Sequence, residues 1–389
     1  MYTKRSRKTA LNCPRLVRNE RGSVLALVAA GLVVFIGMAA LSIDLGMIYS
    51  GRSEAQRSAE AGAHAGASIL ALASNDVDGA RAAARTYTEA NQVRQGTLEV
   101  LDEDIDVDLP NQLVRVRVQR SEARGNPVAT FFARVLGIPT VNISAMAAAQ
   151  AWPGGGVNCI LPLIIPDRWS LTSSTPYQWP TMSETFDPDG DDLYIPWGAA
   201  GPGPPTGYGT PDRGTPIQIT TGSPNAAPRP GWYYNIRLPG ASGTNDYRAA
   251  ITGCWNPDSI YEIGMEVTKE PGNFPVPTGR AFQALIASDP NAVWNPTANR
   301  GHGCVTTSGS NECRGSSRIR PILMFSPEEW PIIPNGAHAV TVSNFVGVFV
   351  ESSTNQGDVW VRFMNYMAIR PASEWSPDSN LPRVVRIVE

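Results

Sequence analysis

The acidic segment Asp187-Pro-Asp-Gly-Asp-Asp holds the clearest candidate metal ligands of this 389-residue chain. Alternate carboxylates at Asp187, Asp189 and Asp191, with a glycine bend, resemble the start of a calcium loop, in which hard oxygen ligands surround the cation. A complete loop of the EF-hand type ends on a glutamate, and Gly198 stands at that position here. Calcium is therefore the one cofactor that the sequence suggests, and an acidic surface turn is the alternative.

Signatures of catalysis are missing from the sequence. It contains no Gly-x-Ser-x-Gly elbow, no His-Glu-x-x-His pair and no phosphate-binding loop. His64 falls in a helix rich in small residues, His302 lies beside a cysteine, and His338 follows an Asn-Gly-Ala turn. None of these settings is typical of acid–base chemistry, and we expect a non-enzymatic protein.

A single apolar run at residues 24–43 is long enough to cross a bilayer, which takes ~20 helical residues. A cleaved signal peptide would have a shorter run of ~7–15 residues that ends in a small-residue cleavage site. We therefore expect a retained transmembrane helix over residues 23–48. Seven basic residues and one acid occupy the first 21 positions, which predicts a cytoplasmic tail at 1–22 and a periplasmic or extracellular location for the rest.

The charge of the chain is unevenly divided. The net charge is −3 overall, but 25 basic and 34 acidic residues follow Arg21, a net of −9 for that part. A nucleic-acid-binding surface needs a basic face. The acidic exported part therefore excludes nucleic acid as an expected partner.

Four of the five cysteines lie in the exported part, namely Cys159, Cys254, Cys304 and Cys313. An even number in an oxidising compartment indicates two disulfides, with three pairings possible. We favour Cys304–Cys313 across a short loop rich in glycine and serine, which leaves Cys159–Cys254. A metal site formed by His302 with Cys304 and Cys313 is the alternative, and it lacks a fourth ligand at the usual spacing.

The helix is expected to continue beyond the membrane as a stem with a seam of small residues. The seam residues recur at spacings of three and four: Ala55, Ala59, Gly62, Gly66, Ile69 and Ala73. Such seams allow helix backbones to approach closely. The seam packs either on the protein's own domain or on other subunits. At the outer end of the membrane helix, Asp44 is either solvated or paired with a cation or donor.

An α+β fold follows from the rest of the pattern. Residues 49–151 begin with the helical stem, and a second helix over 77–92 is capped by Asn75 or Asp76. A hairpin of 105–109 with 113–120 follows. A short helix over 129–136 and a strand over 141–150 complete this part. All ten tryptophans and 29 of the 33 prolines lie from Trp152 onward. We therefore expect residues 152–389 to form a disulfide-bonded, sandwich-like β domain without long helices, with a surface loop at 198–231.

Six strands are predicted in the β-rich part from short apolar or alternating runs, at residues 160–165, 232–238, 261–267, 319–325, 340–351 and 359–369.

The N-terminal part resembles TadG-like proteins of the TadE/G-like group, which are associated with Flp (tight adherence) pilus assembly. The resemblance rests on Glu20-Arg-Gly, the apolar run, Ile43-Asp-Leu-Gly, Tyr49 and the Gln-containing Ala/Gly-rich helix that begins at Ser53. It extends through Leu113-Val-Arg-Val-Arg-Val, Pro127-Val-Ala-Thr-Phe-Phe and the strand at 141–149, and so covers residues 20–150.

This resemblance implies a component of a bacterial pilus or envelope apparatus, anchored in the inner membrane, with pilus-assembly or pilin-like subunits as partners. Pilin-like proteins are cleaved after a glycine and carry glutamate at the fifth position of the mature chain. After Gly22, the fifth residue here is Leu27, so cleavage by a prepilin peptidase is not expected. The Asp-x-Ser-x-Ser signature of von Willebrand-type adhesion domains is also absent.

Two functions are expected from these features. The first is a non-enzymatic anchor or adhesion support for Flp/Tad-type pili that docks through its N-terminal helix. The alternative is an envelope-tethered module that binds carbohydrate or another surface through exposed tryptophans.

Overall fold

The computed structural model of the protein describes residues 20–170, 185–187, 189, 192–197, 204–223, 228–272, 274–332, 338–372 and 382–388. The chain forms two units. We call Met1–Ser53 with Gln119–Ile143 the anchor unit, and Glu54–Val118 with Ser144–Glu389 the β-rich unit.

The N-terminal helix α1, Glu20–Leu72, is continuous over 53 residues. No proline interrupts it, and alanine, leucine and other good helix formers dominate its sequence. A Ser-Asn-Asp turn ends it, and α2, Val77–Glu89, follows. The side chain of Asp76 accepts a hydrogen bond from Gly79 N at 2.8 Å, so it caps α2 as predicted.

In the anchor unit, two short strands enclose a helical turn. Strands β3, Val128–Ala129, and β4, Thr140–Val141, pair antiparallel. Only Ala133–Leu136 between them is helical, and it is a 3₁₀ helix closed by Gly137 at φ +85°. The predicted amphipathic helix over 129–136 is therefore wrong in extent, because Ala129 pairs within a strand and residues 130–132 lie outside the helical turn.

Nineteen strands occur in the described chain. Before the tryptophan-rich part they are β1 (Ile105–Asp108), β2 (Leu113–Arg120), β3, β4 and β5 (Ile143–Val157). The middle of the chain supplies β6 (Leu163–Pro166), β7 (Pro216–Thr221), β8 (Trp232–Arg237), β9 (Tyr261–Glu262), β10 (Glu266–Lys269), β11 (Ala292–Asn295) and β12 (Cys304–Thr307). The last are β13 (Ile319–Phe325), β14 (His338–Thr341), β15 (Asn344–Ser353), β16 (Val359–Met364), β17 (Tyr366–Met367), β18 (Arg370–Pro371) and β19 (Pro382–Ile387).

An eight-stranded sheet forms the centre of the β-rich unit. Its order is β14-β10-β8-β6-β13-β15-β16-β7, and β8 also pairs with β7. Six of the strands therefore form a closed ring, which leaves few exposed sheet edges. The strands predicted at 232–238 and 319–325 are found almost residue for residue. The fold is therefore β-rich, with a ring of strands at the centre of this unit.

A second sheet joins the early hairpin to the end of the chain. Its path is β1-β2-β5-β19-β17, and β9 and β18 add to β5. Val157 and Tyr261 from this sheet share an apolar cluster with Tyr234, Phe325 and Phe345 of the eight-stranded sheet. Sheet-on-sheet packing is thus part of the core.

Two helices also pack on the eight-stranded sheet. They are α3, Gly243–Thr252, and α4, Pro275–Ser288. Phe282 and Leu285 of α4 are fully buried in the main apolar cluster. The expectation that this part lacks long helices is wrong for α4, where prolines occupy the helix start, a position that tolerates them.

The predicted division at Trp152 does not coincide with the boundary between the two units. Strand β5 runs through Trp152-Pro-Gly-Gly-Gly, because Gly154 and Gly156 pair with β18 and Trp152 pairs with β19. The predicted loop at 198–231 likewise contains β7, whose alternate residues Ile217 and Ile219 are buried.

Candidate functional site

The first part of α1 presents an apolar surface. Leu25 and Phe35 are 75% and 74% exposed, and their neighbours between 24 and 43 are similar. Among the residues that the structure describes, α1 is the one helix whose length and composition suit a membrane span. A surface of this kind requires lipid or protein to cover it.

Asp44, at the end of the apolar run, is almost completely buried within the anchor unit. Its carboxylate accepts hydrogen bonds from the backbone N–H groups of Phe131 and Phe132 at 2.9 Å, and from that of Ala133. Of the two alternatives for Asp44, the solvated side chain is therefore not the one found. The alternative holds in part, since the carboxylate has found donors within its own chain.

The segment that Asp44 binds carries exposed apolar side chains. We call residues 131–138 the apolar loop. Val135 is 84% exposed and Leu136 is 76% exposed. Phe131 is also largely exposed, and its ring contacts Phe132 edge-on at 5.1 Å between centroids. Asp44 therefore ties an apolar loop to the C-terminal end of the apolar run of α1.

The small-residue seam packs on the protein's own second helix. Ala55, Ala59, Gly62, Gly66 and Ala73 are buried and Ile69 is half-buried. A Cβ at Gly62 would lie 1.9 Å from Thr88 Oγ1, and one at Gly66 would lie 3.0 Å from the Ala80 carbonyl oxygen. Of the two alternatives, packing on the own domain is the one found, and the seam is not free for other subunits.

Polar contacts bind the end of the stem to other parts of the β-rich unit. Asn365 donates to the carbonyl oxygen of Ala71, and Gln112 to that of Ser74, each at 2.8 Å. The buried Asp76 carboxylate lies 3.8 Å from His302 Nε2 and 4.0 Å from Arg300. These contacts fix the C-terminal end of α1 within its unit.

The charged side chain of Arg213 also lies near Asp76. Burial lowers the pKa of Arg213 to about 10, although the Asp76 carboxylate opposes the shift. A cavity of about 520 Å³ lies nearby, lined mainly by apolar side chains and by the Cys304–Cys313 disulfide.

Comparison with protein families gives one match. Residues 22–68 match the family model described as Putative Flp pilus-assembly TadE/G-like. This segment is TadE/G-like. Comparison with curated proteins and with solved structures finds no match.

The TadE/G-like segment contains the candidate membrane span, Asp44 and the first four seam residues. The predicted resemblance is thus confirmed for 22–68. For residues 69–150 it stays a prediction. The match to this family, together with an apolar helix long enough to cross a membrane, suggests a membrane-anchored protein.

The candidate calcium ligands are only partly described. Asp189 N donates to Asp187 Oδ1 at 3.1 Å, and Asp187 N donates to Asp192 Oδ2 at 2.7 Å. Asp191 lies outside the described residues. No cluster of three potential metal ligands occurs within the described ranges. Calcium at Asp187, Asp189 and Asp191 stays a prediction.

The cysteines form two disulfides, Cys159–Cys254 and Cys304–Cys313. These are the pairs that the sequence favours. Cys304 and Cys313 are thereby oxidised, which leaves His302 without the thiolate ligands of the alternative metal site.

The tryptophans with a described side chain offer little stacking surface. Trp360 is 37% exposed, and the other tryptophans with a described side chain are buried or half-buried. Arginine side chains cover several of these rings: Arg386 lies 3.3 Å from the Trp152 ring centroid, and Arg362 lies 5.7 Å from that of Trp294. The described tryptophans therefore form no exposed aromatic surface for stacking a carbohydrate.

A buried carboxyl group at Asp167 is a feature that sequence reasoning missed. It accepts hydrogen bonds from the backbone N–H groups of Arg168 and Tyr208 at 2.8 Å and from Tyr194 Oη at 3.0 Å. Burial raises the pKa of Asp167 to about 6, although these hydrogen bonds oppose the shift. Only Pro166-Asp-Arg-Trp, a polar pair at the end of an apolar strand, signals it in the sequence.

Proposed function

We propose that the protein is a non-enzymatic, single-pass component of an Flp/Tad-type pilus-assembly or envelope adhesion apparatus. Its N-terminus would be cytoplasmic, its helix would span the inner membrane, and its β-rich unit would lie in the periplasm or outside the cell. The match of residues 22–68 to the TadE/G-like family, centred on the apolar part of α1, carries this proposal.

The proposed docking with other pilus-assembly or pilin-like subunits uses α1, but not its small-residue seam. The seam is already occupied by α2, as the position of Thr88 against Gly62 shows. Two other parts of α1 remain uncovered. They are the apolar surface around Phe35, and a face beyond the membrane run that includes the exposed His64.

Site-specific photo-crosslinking in the native host tests this docking. A photoreactive residue at Phe35 or His64 is expected to capture pilus-assembly subunits, because both positions are exposed on α1. Trp360 on strand β16 is the matched exposed position away from α1. Capture from Trp360 alone would show that docking uses the strands and that the helix does not dock.

The carbohydrate-binding alternative has no specific observation in its favour. Its exposed aromatic face would have to come from tryptophans, and those that the structure describes are mostly covered. We therefore do not adopt it as a second proposed function.

A further inference from the structure

We infer that the apolar loop, residues 131–138, inserts into the lipid interface as a second membrane contact beside α1. This inference rests on the proposed membrane anchoring of α1. It adds a lipid-binding site within the anchor unit that is separate from the membrane span.

The side chains of the loop are those of an interfacial membrane contact. Phe131, Val135, Leu136 and Ile138 are between 50% and 84% exposed, within eight consecutive residues. Phenylalanine and leucine on one side of a short amphipathic segment bury ~5–10 Å into the headgroup and acyl boundary. Four large apolar side chains left in water at one surface would otherwise be unfavourable.

Six backbone N–H groups of the loop have acceptors in the anchor unit. Asp44 accepts from three successive N–H groups, and the N–H groups of Val135, Gly137 and Ile138 donate to carbonyl oxygens inside the loop. Thr130 closes the loop with two hydrogen bonds, from its N–H to Pro139 and from its hydroxyl to Ile138. Backbone that enters lipid must be paired internally in this way, whereas a water-exposed loop has no such need.

The position of the loop follows from Asp44. This residue comes directly after the apolar run of 24–43, and its carboxylate touches the loop backbone. With a rise of ~1.5 Å per residue, α1 places Asp44 within a few ångströms of the end of its lipid-facing surface. Tyr49 is 69% exposed about one turn further on, as expected for an aromatic side chain at the membrane–water boundary.

Lipid is the occupant that fits both the apolar and the charged side chains. The loop is continuous with the uncovered apolar surface of α1 through the Asp44 hydrogen bonds. Arg134, between the apolar residues, is exposed and interacts electrostatically with Asp44. An exposed guanidinium among apolar side chains can reach lipid phosphates while the loop is inserted.

Nitroxide depth measurements test the inference on the full chain in vesicles of phosphatidylethanolamine and phosphatidylglycerol. The label is placed at Val135→Cys, with Cys13→Ser to remove the free thiol and both disulfides left intact. Collision with oxygen reports lipid, and collision with a water-soluble nickel chelate reports solvent. We expect the Val135 label to be accessible to oxygen and protected from nickel.

Matched positions separate this inference from the anchoring proposal. A label at Ala123→Cys, exposed in the same unit, should be accessible to nickel, and one at Val33→Cys in the span should be in lipid. A lipid-exposed Val33 label with a nickel-accessible Val135 label would overturn the inference alone. A nickel-accessible Val33 label would overturn the anchoring. A Val135 label shielded from both reagents would mean that protein covers the loop, which also overturns the lipid assignment.

The tie itself is tested by Asp44→Ala in the Val135→Cys background. We expect the nickel accessibility of the label to rise several-fold, because three backbone N–H groups lose their acceptor. An unchanged accessibility would show that Asp44 does not hold the loop at the interface.

Discussion

Asp44 and Asp167 are both buried carboxyl groups, yet the chain treats them differently. Asp44 is surrounded by three backbone donors, the N–H groups of Phe131, Phe132 and Ala133. At Asp167, burial outweighs the hydrogen bonds and the pKa rises to about 6. Asp44 therefore has a structural role, whereas Asp167 titrates close to physiological pH.

The raised pKa of Asp167 predicts a pH dependence of stability. Between about pH 4 and pH 6 the folded protein binds a proton at Asp167 that the unfolded chain has lost, so stability falls as pH rises through this window. Relative to Asp167→Asn, the wild type should lose on the order of 2–3 kcal/mol over this range. Urea unfolding of the full chain in detergent at several pH values measures it.

The exposed Asp258→Asn variant is the control for that experiment and should keep the wild-type slope. Parallel pH profiles for wild type and Asp167→Asn would contradict the assignment.

Helix α1 has two different parts: the apolar run of residues 24–43 is uncovered, and the small-residue seam that begins at Ala55 is covered by the protein's own α2. Glycine is required in the second part. Gly62→Leu should lower the free energy of unfolding by about 2 kcal/mol or more, because the new side chain meets Thr88 and the Ala84 carbonyl oxygen. Gly37→Leu should leave it unchanged, since no atom lies within 4 Å of a Cβ there. Equal effects in thermal unfolding would show that α2 does not pack on the seam.

The two disulfides close loops of very different length. Residues Cys159 and Cys254 are 95 apart in the chain, and Cys304 and Cys313 are 9 apart. In the chain-entropy model, removal of the first costs about 4–5 kcal/mol and removal of the second about 2–3 kcal/mol. Paired Cys→Ser variants at each bridge, compared by urea unfolding, check this order. A larger loss for Cys304–Cys313 would refute it.

Much of the element pattern was predictable because it rests on local sequence. A short apolar run located β13, and Asp76 signalled the start of α2. The errors arose where distant partners decide. Residues 151–157 became a strand because β18 and β19 pair with them, and Asp44 is buried because a loop almost ninety residues later donates to it. No local pattern contains those partners.

For the whole molecule, the seam illustrates how far the sequence determines function. Spacing predicted close helix packing, and the structure shows that the partner helix belongs to the same chain. The proposed docking would therefore use the apolar part of α1 around Phe35, the exposed face of α1 around His64, or the strands of the β-rich unit. Membership of a larger assembly has to be tested on the intact protein in its membrane.

The most direct test of the central proposal is mass spectrometry of the protein purified from native-host membranes together with its crosslinked neighbours. If the protein is a permanently anchored assembly component, we expect a membrane-bound chain that retains the residues before Ser23. It should be crosslinked to pilus-assembly subunits through α1. A chain that begins at Ser23 and is recovered in sheared filaments would contradict permanent anchoring. An intact chain without neighbours from the pilus machinery would contradict the proposed role in its assembly.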